Sequence, residues 1–317
     1  MAKIYDVYLA AMKEGKEKGV TSQDLRVLIA HEMGYPVPID TLYHKDDEFT
    51  QNEIFKKDFA RLLDGEPVEY IINKASFLQH DIYVDPRVLI PRMETEELIA
   101  NLSEMILDYY DPRNYLVVAD IGTGSGAISV ALHSLFPNWL ITASDVSSDA
   151  LDVAKKNFEA YHAPVRTLLG AGLEPYIKEK MNLDIIISNP PYILNKEEVQ
   201  ESVKRFEPEL ALYLDKERSV YEDVFKNYRK VKKGTLLMAF EIGYDLEAYL
   251  TDLMSKYLED YEFKFIKDLN GLTRFLFVFC RSCIWKQSLS PGMKKTSSLR
   301  RSAKAKSSPS RPRPSMD

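Results

Sequence analysis

Apolar positions in the first 65 residues recur at helical spacing. The run from Leu25 to Met33 predicts a helix that begins after a capping box at Thr21 and ends at Gly34. The segment 50–53, Thr-Gln-Asn-Glu, predicts a second capping box before another helix. Because each predicted helix has one apolar face, we expect residues 1–65 to pack as a small helical bundle.

The pattern of side chains changes after residue 65. Residues 67–92 are rich in β-branched and aromatic residues between turn signals, which is typical of a short β-hairpin. We therefore expect residues 66–92 to form a hairpin linker between the bundle and the rest of the chain.

From residue 93 onward, helical patterns alternate with near-continuous apolar runs. A helix is predicted over residues 94–109. The seven runs that follow predict strands at 115–122, 140–146, 165–169, 183–189, 235–243, 263–269 and 273–279. Strands that are apolar on both faces are typical of a mostly parallel sheet with helices on both sides.

The last two predicted strands are joined only by residues 270–272, which is too short for a parallel crossover. We therefore expect this final pair to be antiparallel. The predicted α/β domain, residues 93–280, resembles the class I methyltransferase fold, a seven-stranded, mostly parallel sheet with an antiparallel final strand.

Composition indicates a folded protein without a membrane span. Of the 317 residues, 45% are hydrophobic and 28% are charged, as in ordinary globular proteins. No apolar run approaches the ~18–20 residues of a membrane helix, and the N-terminus lacks a signal-peptide pattern, so we expect a cytoplasmic protein. Cys280 and Cys283 have no further ligands at metal-binding spacing, and we expect no metal site.

Charge is divided unevenly along the chain. Residues 281–317 hold ten Lys or Arg and one acidic residue among ten Ser and four Pro, which predicts a basic disordered tail. Residues 1–280 carry a net charge of −15. An acidic body argues against broad contact with a phosphate backbone. The tail alone leaves contact with RNA or the ribosome open, and a solvated extension is the simpler interpretation.

A glycine loop follows the first predicted strand of the sheet. Residues 120–126, Asp-Ile-Gly-Thr-Gly-Ser-Gly, precede a helix that we expect to begin at Ala127. Glycines let the backbone turn sharply and approach a ligand closely, and a helix N-terminus presents unpaired N–H groups. The sequence therefore predicts a site for a nucleotide-like ligand. Asp145 ends the next strand, where a carboxylate faces a ribose in doubly wound sheets, although a helix cap or loop acid is the alternative.

The segment Asn189-Pro190-Pro191-Tyr192 directly follows the apolar run LDIIIS. Its two prolines remove backbone donors and fix φ, so the turn is rich in acceptors. If the Asn189 side-chain oxygen and the Pro190 carbonyl each accept one N–H of a planar amino group, they orient its nitrogen toward a methyl donor. Asn189 is the predicted catalytic residue, the four residues 189–192 form the predicted substrate site, and Tyr192 is expected to form a wall beside the substrate. A mere strand-terminating turn is the alternative.

Together these motifs resemble the HemK-type protein-(glutamine-N5) methyltransferases. The resemblance covers roughly residues 20–280 and rests on segments 65–72, 84–98, 119–132, 187–193, 206–212 and 240–243, in the family's order. It implies an enzyme that transfers a methyl group from S-adenosylmethionine, leaving S-adenosylhomocysteine, to the glutamine of the Gly-Gly-Gln motif in peptide-chain release factors. It also implies that the N-terminal bundle recognises the substrate protein.

The resemblance assigns roles by position. The implied cofactor-binding residues are Gly122, Thr123, Gly124, Ser125, Gly126, Asp145 and Asn189. Arg92, Glu94 and Thr95 lie in a family motif near the site without an assigned chemical step, and an ion pair that fixes the linker is an equal interpretation. The family usually has an acidic residue in the loop where this chain has Gly170-Ala171-Gly172, so cofactor affinity is expected to be weaker.

Three other functions are compatible with parts of the sequence. An adenine-N6 methyltransferase acting on DNA or RNA uses the same turn on a flipped base, but it predicts a basic cleft, which the acidic body opposes. A binding module without catalysis predicts loss of Asn189 or of the glycines, and both are present. An NAD dehydrogenase fits least, because the glycine spacing differs from that of dinucleotide sites.

Overall fold

The structure, a computed structural model, describes residues 2–111, 113–195, 197 and 199–281. The predicted tail beyond Arg281 and the second cysteine, Cys283, lie outside the described residues. No helix within the described ranges is long and apolar enough to cross a membrane.

Residues 2–65 form the predicted helical bundle. Its helices are α1 (Ile4–Gly15), α2 (Ser22–Met33), α3 (Asp40–Tyr43) and α4 (Asn52–Leu63), and the buried faces of α1, α2 and α4 share one apolar cluster. The predicted capping box is confirmed, because the Asp24 N–H donates to the Thr21 hydroxyl over 3.0 Å and Gly34 ends α2 at a φ of 71°.

The second predicted capping box is wrong. The cap of α4 is Gln51, whose side chain makes no capping hydrogen bond, and its φ of −100° and ψ of 36° are not the extended values of a capping residue. Thr50 therefore stands one residue too early to bond an N–H of the first turn.

The linker contains a helix as well as the predicted hairpin. Helix α5 (Val68–Ile72) precedes strands β1 (Ala75–Phe77) and β2 (His80–Ile82), which pair in antiparallel register. The expectation of a hairpin over the whole linker is thus wrong for residues 68–72. Four of the five α5 side chains are buried, and tertiary packing of this kind overrides the β preference of the sequence VEYII.

The remaining elements alternate as predicted. In chain order they are α6 (Met93–Tyr109), β3 (Val117–Ile121), α7 (Ala127–Leu135), β4 (Leu140–Asp145), α8 (Ser148–Ala160), β5 (Arg166–Leu169), α9 (Glu174–Lys178), β6 (Leu183–Ser188), α10 (Glu201–Phe206), α11 (Glu209–Leu212), α12 (Val220–Asn227), β7 (Lys232–Glu241), α13 (Glu247–Tyr257), β8 (Tyr261–Lys267) and β9 (Thr273–Cys280).

The seven strands form one sheet in the order β5-β4-β3-β6-β7-β9-β8. The first five are parallel, and β9 runs antiparallel to both β7 and β8, which confirms the class I methyltransferase layout. Apolar clusters cover both faces of the sheet. Strand β3 pairs with β4 on one side and with β6 on the other, so the order in which strands are added to the sheet reverses at β3. Ligands of such sheets bind at the carboxyl ends of the strands beside this point.

Candidate functional site

The glycine loop joins β3 to α7 and is anchored to the neighbouring strand. The N–H groups of Gly122 and Thr123 both donate to the carbonyl of Ser144, over 2.8 and 2.9 Å. Gly122 and Gly124 have φ of 70° and 54°, and an added Cβ at either position would meet no atom of the described residues within 4 Å. The loop therefore keeps its left-handed backbone beside open space, as a loop that approaches a ligand requires.

The third glycine of the loop is needed for packing. At Gly126 a Cβ would lie 2.6 Å from Cε1 of Phe158, on α8. Thr123 and Ser125, which we expected at the cofactor, are buried residues, with 6% and 4% of their surface exposed. The Thr123 hydroxyl is already bonded to Asp120.

Asp120, at the end of β3, is a buried carboxylate with one unused oxygen. Its Oδ2 accepts hydrogen bonds from Thr123 Oγ1 at 2.7 Å and from Ser129 Oγ at 2.6 Å. Within the described part of the chain, no group bonds to Oδ1. Burial raises the pKa of Asp120 to about 6, against the lowering effect of the two hydroxyls. Asp120 stands two residues before Gly122, but no sequence pattern assigns it a separate role.

Asp145 ends β4, as predicted, and its carboxylate binds the glycine loop. Oδ2 accepts from the Gly124 N–H at 3.0 Å, and Oδ1 accepts from the Ser147 N–H at 2.9 Å. Burial raises its pKa, while these backbone N–H groups act in the opposite direction. Asp145 therefore fixes the loop and the start of α8, and each oxygen retains a second lone pair for a ligand hydroxyl.

Asn157 is a functional candidate that sequence analysis missed. Its amide, 1% exposed, exchanges two hydrogen bonds with the Tyr83 backbone and also donates to the Ser125 carbonyl over 2.8 Å. One side chain thus joins the residue that follows β2 to the glycine loop. An asparagine in an amphipathic helix gives no sequence signal of this role.

The Asn-Pro-Pro-Tyr turn lies at the carboxyl end of β6. Its first and last residues, Asn189 and Tyr192, belong to one chain of hydrogen bonds. Asn189 Nδ2 donates to Thr95 Oγ1 over 2.9 Å, and Thr95 Oγ1 donates to Glu241 Oε2 over 2.7 Å. The Tyr192 hydroxyl donates to Glu241 Oε1 over 3.2 Å. Since the Asn189 nitrogen is bound to Thr95, its oxygen is the group left for a ligand.

Asn189 and Tyr192 border a cavity of about 450 Å³, a volume within the range of ligand pockets. Its other walls include Arg92, Leu194, Val203 and Arg274. The Arg274 guanidinium lies 5.7 Å from the centre of the Tyr192 ring and pairs with Asp268. The cavity therefore places a half-buried amide oxygen beside an aromatic ring, which suits a flat polar group.

Arg92 forms an ion pair with the buried carboxylate of Glu207. Of the two interpretations of this motif, the structure supports the ion pair that fixes the linker. Glu207 also accepts from the Ile90 N–H at 3.4 Å, and Arg92 lines the cavity, so the pair holds the end of the linker against one wall. Thr95 has a different role, as the partner of Asn189.

The loop after β5 contains no acidic residue, as the sequence shows, and Ala171 is exposed. A Cβ on Gly172 would lie 2.1 Å from Asp223 Oδ2, because the Asp223 carboxylate reaches this loop from α12 and accepts from the Leu173 N–H over 2.8 Å. The loop is thus fixed from outside by a residue that is distant in sequence.

The residues at this edge of the sheet fit a cationic nucleoside such as S-adenosylmethionine. The glycine loop leaves open space for a ligand, and Asp120 Oδ1 is a buried acceptor without a partner, as an ammonium group requires. No group of three or more His, Cys, Asp or Glu residues capable of holding a metal ion occurs in the described ranges. Cys280 is buried, which raises the pKa of its thiol to about 12.

Comparison with known proteins identifies relatives that match 69–75% of the chain. Residues 96–233 match the family model described as methyltransferase small domain. The release factor glutamine methyltransferase of Enterococcus faecalis is 37% identical over 238 residues, 74% of this chain and 83% of that protein. The proteins of the same name from Staphylococcus aureus and Bacillus subtilis are 35% and 38% identical, over 75% and 69% of this chain and 85% and 77% of their own lengths.

Among solved structures, a methyltransferase from Pyrococcus furiosus aligns with a TM-score of 0.45 at 19% identity, over 71% of this chain and 98% of its own. The identity to the three curated proteins extends over more than two thirds of this chain and of each relative. The chain belongs to the release factor glutamine methyltransferase family.

Proposed function

We propose that this protein transfers a methyl group from S-adenosylmethionine to the side-chain amide nitrogen of the glutamine in the Gly-Gly-Gln motif of a peptide-chain release factor. The observation that supports this function most directly is the hydrogen bond from Asn189 Nδ2 to Thr95, at 2.9 Å. It commits the Asn189 nitrogen to the protein and leaves the oxygen as an acceptor for a substrate N–H.

The cofactor site is assigned to the carboxyl edge of β3 and β4. Gly122–Gly126 would lie along the methionine part, Asp145 would accept hydrogen bonds from the ribose hydroxyls, and Asp120 Oδ1 would accept from the amino group. When bound, S-adenosylmethionine supplies a methyl carbon on a positively charged sulfur. A neutral nitrogen can bond to this carbon in one step, while the sulfur leaves as the neutral thioether.

The role of the turn is to bind and orient the amide. Asn189 Oδ1 and the Pro190 carbonyl would each accept one N–H of the glutamine amide, while Pro191 keeps the turn rigid and the Tyr192 ring lies beside the flat group. As positive charge develops on the nitrogen, these two acceptors stabilise it, and one proton then leaves to water. Positioning and electrostatics of this kind need neither a covalent nucleophile nor a strong base.

The substrate protein is proposed to contact the helical bundle. Val37, Ile39, Leu42 and Tyr43 form an exposed apolar stretch at α3, with Tyr43 79% exposed. A contact there would bring the release factor to the protein, while its Gly-Gly-Gln loop occupies the cavity beside Asn189. Nucleic acid is not the expected substrate, because residues 1–280 carry a net charge of −15.

The proposed function is tested by incubating the protein with a release factor and isotopically labelled S-adenosylmethionine, followed by mass spectrometry of the peptide that contains the Gly-Gly-Gln motif. A gain of one methyl group on the glutamine is expected. Asn189→Ala should abolish the gain while S-adenosylhomocysteine still binds. Methylation of an adenine-containing DNA or RNA, with no labelled release factor, would refute the proposal.

A further inference from the structure

Glu241 is a fully buried carboxylic acid beside the substrate turn, and the proposed function gives it no task. It ends β7, directly after Phe240, which is paired in register with Ser188 at the end of β6. Glu241 therefore lies level with Asn189, the residue that follows Ser188. Burial of an ionised carboxylate costs free energy. The presence of a buried acid at this position, where an apolar side chain would avoid that cost, therefore needs a physical reason.

Both oxygens of Glu241 are used by the substrate turn. Oε2 accepts from Thr95 Oγ1 over 2.7 Å, and Thr95 in turn accepts from Asn189 Nδ2 over 2.9 Å. Oε1 accepts from the Tyr192 hydroxyl over 3.2 Å. The last residue of the Asn-Pro-Pro-Tyr turn is thus anchored to one oxygen of the carboxylate directly, and the first residue is anchored to the other through Thr95.

The charge at the end of this chain determines its direction. An ionised carboxylate can only accept hydrogen bonds, so the single proton of the Thr95 hydroxyl must point to Glu241. The lone pairs of Thr95 then face Asn189, and only the Nδ2 end of that amide can donate to them. The Asn189 oxygen is consequently turned to the substrate.

We propose that Glu241 is the positioning residue for methyl transfer, and that its ionised form, acting through Thr95, keeps the Asn189 oxygen toward the substrate amide. This inference rests on the proposed function. Protonation of Glu241 on Oε2 turns this oxygen into a donor, so the Thr95 hydroxyl must accept from it and its own proton turns toward Asn189. Thr95 then no longer selects the nitrogen end of the Asn189 amide, and the protein becomes inactive without unfolding.

The surroundings of Glu241 place this protonation in an accessible range of pH. Burial raises the pKa of Glu241 to about 7, and Glu94 of α6 acts in the same direction. Arg274 of β9 and the hydrogen bonds from Thr95 and Tyr192 act against it. The Tyr221 hydroxyl of α12 donates to the backbone carbonyl of Glu241 over 2.8 Å, and not to its carboxylate.

The first test uses a matched pair of substitutions at Thr95. Thr95→Val keeps the shape and removes the hydroxyl, and it should lower kcat for a release factor by about 10²-fold, the effect of losing one oriented group in a preorganised site. Thr95→Ser keeps the hydroxyl and should stay within about threefold of the wild type. The dissociation constant of S-adenosylhomocysteine should not change in either variant. Equal kcat values for the two variants would overturn the proposal.

The second test is the pH profile. In the wild type, kcat should fall about tenfold per pH unit below the pKa of Glu241. Glu241→Gln, which cannot ionise, should have a low kcat at every pH and should lack this acidic limb. Tyr221→Phe is the control, since it removes a buried hydrogen bond to the same residue but not to its carboxylate, and it should keep the limb. An unchanged acidic limb in Glu241→Gln would overturn the proposal.

A third measurement does not depend on turnover. The carboxyl ¹³C resonance of Glu241, identified by its loss in Glu241→Gln, and the side-chain amide resonances of Asn189, identified by their loss in Asn189→Ala, should titrate with a common midpoint in the wild type. In Thr95→Val the Asn189 resonances should no longer follow the titration. Asn189 resonances that stay constant while Glu241 titrates would overturn the proposal, whereas absence of any methyl transfer by the wild type would refute only the proposed function.

Discussion

A Cβ atom on Gly126 would lie 2.6 Å from Cε1 of Phe158, whereas a Cβ on Gly122, four residues earlier in the same loop, would meet no atom within 4 Å in the part of the chain that the structure describes. The two glycines therefore serve different purposes. Gly126, with a φ of 82°, permits close packing between the loop and α8, and Gly122, with a φ of 70°, borders the space assigned to the cofactor.

The pair Gly126→Ala and Gly122→Ala should separate stability from binding. Gly126→Ala combines a steric overlap with a positive φ and should lower the free energy of unfolding by about 3 kcal/mol. Gly122→Ala has only the backbone strain and should cost about 1 kcal/mol, yet it should weaken S-adenosylhomocysteine binding at least ~10-fold. Urea unfolding and calorimetric titration measure both effects. Equal losses of stability would contradict the distinction.

Arg92→Ala should be much more damaging than a change in an exposed ion pair. It leaves the buried Glu207 carboxylate without its cation, which should cost roughly 2–3 kcal/mol in the free energy of unfolding. Arg205→Ala is the matched control, because Arg205 pairs with the exposed Asp64 and should cost at most ~1 kcal/mol. Thermal and urea unfolding of both variants measure the difference, and similar values would show that the Arg92–Glu207 pair does not fix the linker.

Asp120→Asn should raise the stability of the fold at high pH and should weaken cofactor binding. Burial raises the pKa of Asp120 to about 6, above its value in the unfolded chain, so the folded state binds the proton more tightly. The contribution of Asp120 to stability is therefore full at low pH and is lost as the pH rises through about 6. At pH ~8, Asp120→Asn should unfold at a higher urea concentration than the wild type, and its advantage should vanish near pH ~4.

The same substitution should weaken cofactor binding, because the unpartnered Oδ1 is the acceptor assigned to the amino group. We expect a loss of about 10-fold in affinity for S-adenosylhomocysteine by calorimetry, corresponding to one charge-assisted hydrogen bond. Unchanged affinity would mean that Asp120 has only a structural role.

Asn157→Ala should disturb the cofactor site from a distance. The amide of Asn157 satisfies both backbone groups of Tyr83 and the carbonyl of Ser125, and its removal leaves buried polar groups unpaired at a cost of about 2–4 kcal/mol. Affinity for S-adenosylhomocysteine should fall as well, since the glycine loop loses a support. Asn101→Ala, which removes only a bond to the Glu97 carbonyl of its own helix, is the control and should leave affinity unchanged.

The sequence predicted the strands of the sheet better than the details of the linker. Strands buried on both faces have few alternatives, since their apolar runs must lie between two layers of helices. The segment Val68–Ile72 shows the limit of this reasoning, because its β-branched residues form a helix that packs against the bundle and the sheet domain. The β preference of these residues has a weaker effect there than the burial of their side chains.

The sequence by itself determined the glycine loop, the position of Asp145 at the end of β4 and the Asn-Pro-Pro-Tyr turn, because these depend on residues that are neighbours along the chain. Only the tertiary structure decided which way the Asn189 amide faces. Thr95 and Glu241 precede and follow Asn189 by 94 and 52 positions. The hydrogen bonds from Asn189 to Thr95 and from Thr95 to Glu241 form only when α6 and β7 pack beside β6. A hydrogen bond needs atoms within about 3 Å, and no local pattern of side chains encodes a contact between such distant segments.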